Sequence, residues 1–449
     1  MNKLDTALVD SALRVAGFDM TDSVKQADIV LINTCSVREH AEQRVLSHLG
    51  HLKHIKESRP DMVVGVIGCM AQRLGDKLLE HEAVNIVCGP AQIPRIAELV
   101  TKALDNKKKE LAVTKEVLKP TSETQTQALE DFESSYGIED KDIPGQAFVR
   151  VMRGCNNFCT YCIVPYVRGP EVCREPKAII EQIKKLADHG IKQVTLLGQT
   201  VNSYKYKQGE KTWCLADLLD AAGDIKGIEW LRFVTSYPSE EFFDAILQVM
   251  ADSLKVCSYL HMPAQSGSDK ILRAMNRNYT SGWYLELLER ARAKVPDIAI
   301  AGDFIVGFPG ESEEDFQATI DLTQKAGYKN AFIFKYSLRP GTTADKRLQD
   351  TIPDKVKQRR NIELLDVQEK ISDKLSRMFL DKEVKVLVEG LSKKSHRNLT
   401  QNGSPQLVAR TAADYIVVFN GPESLTGQFV KVKITQTSPL TLFGQLVET

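Results

Sequence analysis

Short apolar runs separated by segments of helical period organise the first hundred residues. Ile29-Val-Leu-Ile32, Val63-Val-Gly-Val-Ile67 and Val84-Asn-Ile-Val87 read as buried parallel strands, because both faces of each run are apolar. Leu4 to Gly17 reads as a helix that breaks at the glycine. Each strand-like run ends in a polar loop: Asn33-Thr-Cys35, Gly68-Cys69 and Cys88-Gly-Pro90. Ligands of open parallel sheets gather at the carboxyl ends of strands, so the pattern sets Cys35 and Cys69 side by side in space. Cysteine is also a common buried residue, and on pattern alone packing serves equally well. A doubly wound sheet would normally open with a strand ahead of the first helix, and none stands before Leu4.

The pattern then changes twice. Residues 106–145 are polar and charged, with Thr121-Ser-Glu-Thr-Gln-Thr-Gln127 at their centre, and read as a linker that contributes little to a core. From 146 to 378 the alternation returns. Ala147–Met152, Gln193–Leu197, Trp230–Val234, Tyr259–Met262, Ile298–Ala301 running into Phe304–Val306, and Ala331–Phe334 are spaced by helical stretches such as 176–189 and 313–326. Six such βα units predict a partial (β/α)6 barrel with its chemistry at the C-terminal strand ends. Residues 348–380 read as a connector helix or helix pair. In the final region, 379–447, Val384–Val388, Tyr415–Phe419, Phe429–Ile434 and Leu442–Val447 lie at hairpin spacing. They predict a small OB-like β-barrel. The fold class is therefore α/β: a doubly wound parallel domain over 1–105, the linker, a barrel core and a small terminal barrel.

A length of 449 residues suits about three domains. With 59 basic and 59 acidic residues the net charge is zero, so no global field recruits nucleic acid. RNA binding would need a local patch, such as Lys393, Lys394 and Arg397 in one loop of the terminal barrel; a solvated turn explains the same residues. No signal-peptide core and no run of about 18 apolar residues occurs, which makes a cytoplasmic protein without a membrane partner the expectation. Nine cysteines, irregularly placed, do not form a disulfide framework.

Three of those cysteines carry the chemistry. Cys155-Asn-Asn-Phe-Cys159-Thr-Tyr-Cys162 follows a strand and opens at Gly154. Three thiolates at this spacing can hold three irons of a [4Fe–4S] cube and leave the fourth open to bind and reduce a ligand. That is the signature of enzymes that cleave S-adenosylmethionine (SAM) to a radical. Tyr161 is the aromatic residue such loops place against the adenine of SAM. Zinc is the alternative, but it favours paired C-x2-C units, and no second pair follows. Gln199, Ser236 and Gln265 fall near predicted strand ends and Asp303 within the fifth strand; these four are the candidate polar contacts to SAM. Cys173, Cys214 and Cys257 read as structural.

With Asn33–Glu39, Gly68–Gln72, Arg153–Tyr166, Arg168-Gly169, Leu197–Tyr204, Gln265–Asp269, Met275–Arg277, Asp303–Glu311 and Arg339–Thr342, the chain resembles the radical SAM methylthiotransferases over nearly its full length. The resemblance implies two [4Fe–4S] clusters, one on Cys155, Cys159 and Cys162, the other on Cys35, Cys69 and a further cysteine. It implies a TRAM domain at the C-terminus. Asn156-Asn157-Phe158 and Gly198–Tyr204 look most like the branch that converts N6-isopentenyladenosine beside the tRNA anticodon to its 2-methylthio derivative. One SAM would serve as methyl donor and one as radical source. The branches acting on threonylcarbamoyladenosine or on a ribosomal protein are the alternatives within the family; a zinc-containing RNA-binding protein is the alternative outside it. The implied partners are a tRNA anticodon stem-loop and an electron donor such as flavodoxin or ferredoxin; the sequence leaves the oligomeric state open, with a monomer the default. The family's first ligand stands in a Cys-Gln-Met-Asn string, of which Met1-Asn2 matches the last two residues. The expectation is thus a cysteine two residues ahead of Met1, with Cys88 as a substitute ligand if none is there.

Overall fold

The computed structural model describes residues 2–34, 39–119, 122–136, 144–393 and 404–447, with the side chains of 39–41 also outside the description. They form two compact units. The first comprises Met1–Asp140, Met152–Arg174 and Ser337–Arg347; the second comprises Lys141–Val151, Glu175–Tyr336 and Leu348–Thr449. The cysteine loop lies in the compact unit that also contains the N-terminal sheet.

In the first unit, helix Asn2–Val15 precedes a parallel four-stranded sheet in simple order, β1 (Ile29–Thr34), β2 (Val63–Gly68), β3 (Ile86–Cys88) and β4 (Glu110–Ala112). All six residues of β2 are buried, as a strand covered on both faces requires. The expected run at Val84 starts two residues later, at Ile86.

The segment 106–145, expected to be a linker with little core, is ordered in large part. It supplies β4 and helix Glu123–Ser134, whose N-cap Ser122 accepts a hydrogen bond from the Gln125 amide at 3.3 Å. Only Leu129 and Phe132 give that helix an apolar contact, and both are buried. A stripe this narrow is lost in polar composition, which is why the sequence reading missed it.

The second unit begins with β5 (Gln146–Arg150). A short ribbon in the first unit, β6 (Met152–Arg153) paired with β7 (Val172–Cys173), then brackets the cysteine loop. The second unit continues with β8 (Gln193–Leu197), a side hairpin of β9 (Lys205–Gln208) and β10 (Lys211–Cys214), β11 (Trp230–Val234), β12 (Tyr259–His261), β13 (Ala299–Val306) and β14 (Asn330–Lys335). Two parallel sheets, β5-β8-β11 in line and β12-β13-β14 in line, join through a parallel bridge between Leu231 and Val256. The six expected strands thus form the partial (β/α)6 barrel. Phe304 packs edge-on against Tyr328 at 5.6 Å on the helix-covered face, so its neighbours Ala301 and Asp303 face the interior. The connector is one helix, Asp354–Arg377, laid against β14, with Asn361 donating to the Ile333 carbonyl at 2.8 Å.

A closed barrel ends the chain: β15 (Glu383–Leu391), β16 (Gln406–Thr411), β17 (Ile416–Asn420), β18 (Phe429–Thr437) and β19 (Thr441–Leu446). Strand β16 was not expected. Its alternation Gln-Leu-Val-Ala-Arg-Thr buries Leu407, Ala409 and Thr411 but contains no long apolar run. Of the proposed basic loop, Lys394 and Arg397 lie outside the described residues.

Within the second unit the small barrel closes one end of the large one. Tyr259, Ala299 and Ala301, on the inner face of the partial barrel, share a hydrophobic cluster with Val386, Val417 and Phe419. The β16–β17 turn carries Asp414 at φ +64, a left-handed conformation that aspartate tolerates. Its carboxylate meets Lys329 at 3.0 Å, Arg410 at 3.1 Å and Arg232 at 3.6 Å. Burial works against the charge on Asp414, yet these three cations hold its carboxyl below the usual range. Burial also pushes the Lys329 amine down to about 8 against the pull of Asp414. No helix among the described residues is long and apolar enough to cross a membrane.

Candidate iron–sulfur and SAM site

The cysteine loop is pinched at its base by two glycines with positive φ, Gly154 at +72 and Gly169 at +82. A side chain at Gly154 has no room, because its Cβ would stand 1.9 Å from the Pro170 carbonyl oxygen. The Cys155 amide donates to the Gly169 carbonyl at 3.1 Å and the Cys162 amide to that of Cys159 at 2.9 Å. Asn156 and Glu171 bond each other's backbone amides at 3.1 and 3.4 Å. Asn157 Nδ2 donates to Cys155 Sγ at 3.3 Å.

The former linker helix holds both ends of this loop. Arg153, just before Gly154, donates to Glu133 at 2.8 Å, and Arg174, just after the ribbon, grips Glu130 with two bonds at 2.8 and 2.6 Å. The Arg339–Thr342 motif leads into a brace on the far side. There the Ala344 amide donates to the Thr160 carbonyl at 2.7 Å, and the Tyr166 and Thr343 hydroxyls meet at 3.3 Å. A Gly154→Ala variant is expected to keep its overall fold but retain several-fold less iron after anaerobic reconstitution, measured against protein, since strain of about 1–3 kcal/mol falls on the loop that carries the ligands.

Cys155 and Cys162 are half-buried, Cys159 is buried, and none is in a disulfide. Among the described residues, no three Cys, His, Asp or Glu side chains gather around a point that one metal ion would occupy. A cube takes its three thiolates on three different irons and needs no such point. Tyr161 lies half-buried in the same loop.

In the same unit, Cys69 follows β2 directly and is buried. A Cβ at Gly68, φ +94, would stand 2.7 Å from the Thr34 carbonyl and 2.8 Å from Asn33 Oδ1. That Asn33 oxygen is buried with no hydrogen-bond partner among the described residues, although Asn33 Nδ2 donates to the Asn2 carbonyl at 2.9 Å. A cramped strand end with an orphaned polar atom fits a bound group beside Cys69. Cys35 lies outside the described residues. Cys88 is wholly buried at the end of β3, and burial pushes its thiol up to about 12, which suits packing better than ligation. Cys214 caps a helix, its amide donating to Asp217 at 2.8 Å, while Cys257 is buried and Cys173 pairs in the ribbon.

In the second unit, three of the four expected SAM contacts, Gln199, Ser236 and Gln265, stand close to the ends of parallel strands, and Asp303 lies within one. The Ser236 amide donates to the His261 carbonyl at 3.3 Å, and the Gln265 amide to that of Asp303 at 2.8 Å. Thr235 and Gln265 hold φ values of +73 and +70, strain of the kind found at ligand sites. Gln199 Oε1 and Ser236 Oγ are both buried with no hydrogen-bond partner among the described residues. Two such atoms on adjacent strands fit a polar ligand. Asp303, deep in β13, faces inward and lies 3.2 Å from His261 Nε2. Sequence reasoning missed His261, because only the β12–β13 register brings together residues 42 apart.

Three family models match separate parts of the chain: the Radical SAM superfamily over residues 149–323, the uncharacterized protein family UPF0004 over 1–89, and the TRAM domain over 380–447. The fold is also that of a solved radical S-adenosylmethionine methyltransferase, TsrM from Kitasatospora setae, with a TM-score of 0.53 at 15% identity over 76% of this chain and 73% of that one. A tRNA-2-methylthio-N(6)-dimethylallyladenosine synthase from Rhodopirellula baltica is 40% identical over 99% of this chain and 93% of its own length. One from Carboxydothermus hydrogenoformans is 41% identical over 100% and 97%. At that identity over both full lengths, with the cysteine loop in place, the chain belongs to the tRNA-2-methylthio-N(6)-dimethylallyladenosine synthase family.

Proposed function

We propose that this protein converts N6-isopentenyladenosine (dimethylallyladenosine) next to the tRNA anticodon to its 2-methylthio derivative, using one SAM as methyl donor and another as radical source. The observation that carries this reading is the full-length likeness to synthases of that product. Cys155, Cys159 and Cys162 would hold the first [4Fe–4S] cluster, and Cys69 with Cys35 would hold the second. With SAM bound, the iron–sulfur chemistry supplies a carbon radical able to take hydrogen from adenine C2, which no side chain can do.

The chain's own work is positional. Gly154, the Arg153–Glu133 pair and the Arg174–Glu130 pair fix the loop, and Asn157 donates to the Cys155 sulfur. Tyr161 would face the SAM adenine, while Gln199, Ser236, Gln265 and Asp303 would take its polar groups, with His261 orienting the Asp303 carboxylate. The Asp414 turn closes the barrel's other end against water. Lys393 with Lys394 and Arg397 would meet the anticodon stem-loop. Flavodoxin or ferredoxin would supply electrons to a monomeric enzyme. Mass spectrometry of tRNA nucleosides tests the reading: deletion of the gene is expected to remove 2-methylthio-N6-isopentenyladenosine and leave its unthiolated precursor, and unchanged 2-methylthio nucleoside would refute it.

A further inference from the structure

Arg168 ends the short helix Val164–Arg168 that follows the cysteine loop, and its guanidinium lies in the interior of the first unit with a side chain only 7% exposed. Its side chain has two partners among the described residues. Nη2 donates to Asp5 Oδ2 at 3.1 Å, and Nε donates to Cys69 Sγ at 3.3 Å. Asp5, on the first helix, is 4% exposed at its side chain. Cys69 packs against Ile163, Val167 and Tyr166 of the same helix. A buried guanidinium needs a counter-charge, and Asp5 supplies one. The second bond needs another explanation, because a neutral thiol is a weak acceptor whereas an iron-bound thiolate is a good one.

We propose that Arg168 and Asp5 form an opposed pair of positioning residues that sets the reduction potential of the cluster held at Cys69. The inference rests on the reading of Cys69 as a ligand of the second cluster. Arg168 brings a positive charge and an N–H···S bond to the ligand sulfur, both of which favour the reduced, more negative cluster; Asp5 offsets that charge. Because Arg168 hangs from the helix that continues the SAM-cluster loop, the same residue ties the loop of one cluster to the ligand of the other.

The two residues should therefore act in opposite directions. The measurement is a spectroscopic redox titration of the C155A/C159A/C162A background, in which only the second cluster would remain. Arg168→Met is expected to move the midpoint potential to more negative values, Asp5→Asn to more positive values, and the double variant to fall between them. Arg168→Lys, which keeps the charge, should stay nearer the parent than Arg168→Met. A purely structural pair would give shifts of one sign, or equal loss of iron in both variants, and either result overturns the inference. If the background protein binds no iron, instead of about four per chain, the ligand reading itself fails and the inference falls with it.

Discussion

Alanine at Cys155, Cys159 or Cys162 is expected to reduce both 5′-deoxyadenosine formation and methylthiolation to about a thousandth of the parent rate or less, a barrier increase of at least about 4 kcal/mol. On the proposed reading each thiolate would hold one iron of the cube and two would not retain it, so the three single variants should be about as severe as the triple. The loop is braced independently of the cysteines, by Gly154 and by the pairs of Arg153 with Glu133 and Arg174 with Glu130. The variants should therefore unfold at temperatures close to the iron-free parent. Iron content and product analysis by mass spectrometry check the prediction: a variant that keeps about half of the parent activity would remove that cysteine from the ligand set.

The largest effect on stability should come from Asp414→Asn. Its carboxylate is the counter-charge for Lys329, whose side chain is 10% exposed, and for Arg232, whose side chain is 6% exposed. Removing one member of a buried ionic cluster leaves uncompensated charge and costs about 3–5 kcal/mol. The pH dependence has a definite sign. Burial, the main cause, lowers the folded-state pKa of Lys329 to about 8 from its ordinary 10.5, so this group contributes stability above about 10.5 and loses it as pH falls through 8. Asp414, held low, contributes stability above 3.8 that is lost as pH falls through its lower folded value. In Asp414→Asn the amine loses the partner that keeps it charged. The drop in unfolding midpoint should thus be largest near pH 6–7 and shrink toward pH 9, where Lys329 is neutral in the fold. A drop that is independent of pH would place the effect in the turn conformation instead of the charge cluster.

The candidate cysteine loop was legible because its residues are local: Gly154, Cys155, Cys159 and Cys162 lie within nine residues and need no tertiary contact to suggest a cluster. The strand-end positions of Gln199, Ser236 and Gln265 were legible for a related reason, since strands of the expected lengths must end close to these residues. The polar segment 106–145 was not. Its helix carries Glu130 and Glu133, whose function appears only when Arg153 and Arg174 arrive from either side of the cysteine loop. Asp414 likewise reads as an ordinary turn residue until the turn is seated in another barrel.

By itself, then, the sequence determined the strand and helix alternation, the two barrels and the thiolate loop, because period-2 and period-3.6 patterns and short cysteine spacing are local properties. Tertiary structure alone decided which charges surround those groups. Arg168 stands 99 residues from Cys69 and 163 from Asp5, and no periodicity relates positions so distant. They meet because a parallel sheet delivers β2 and the first helix to the same end, where the exclusion of water makes one buried guanidinium matter more than any surface charge in the chain.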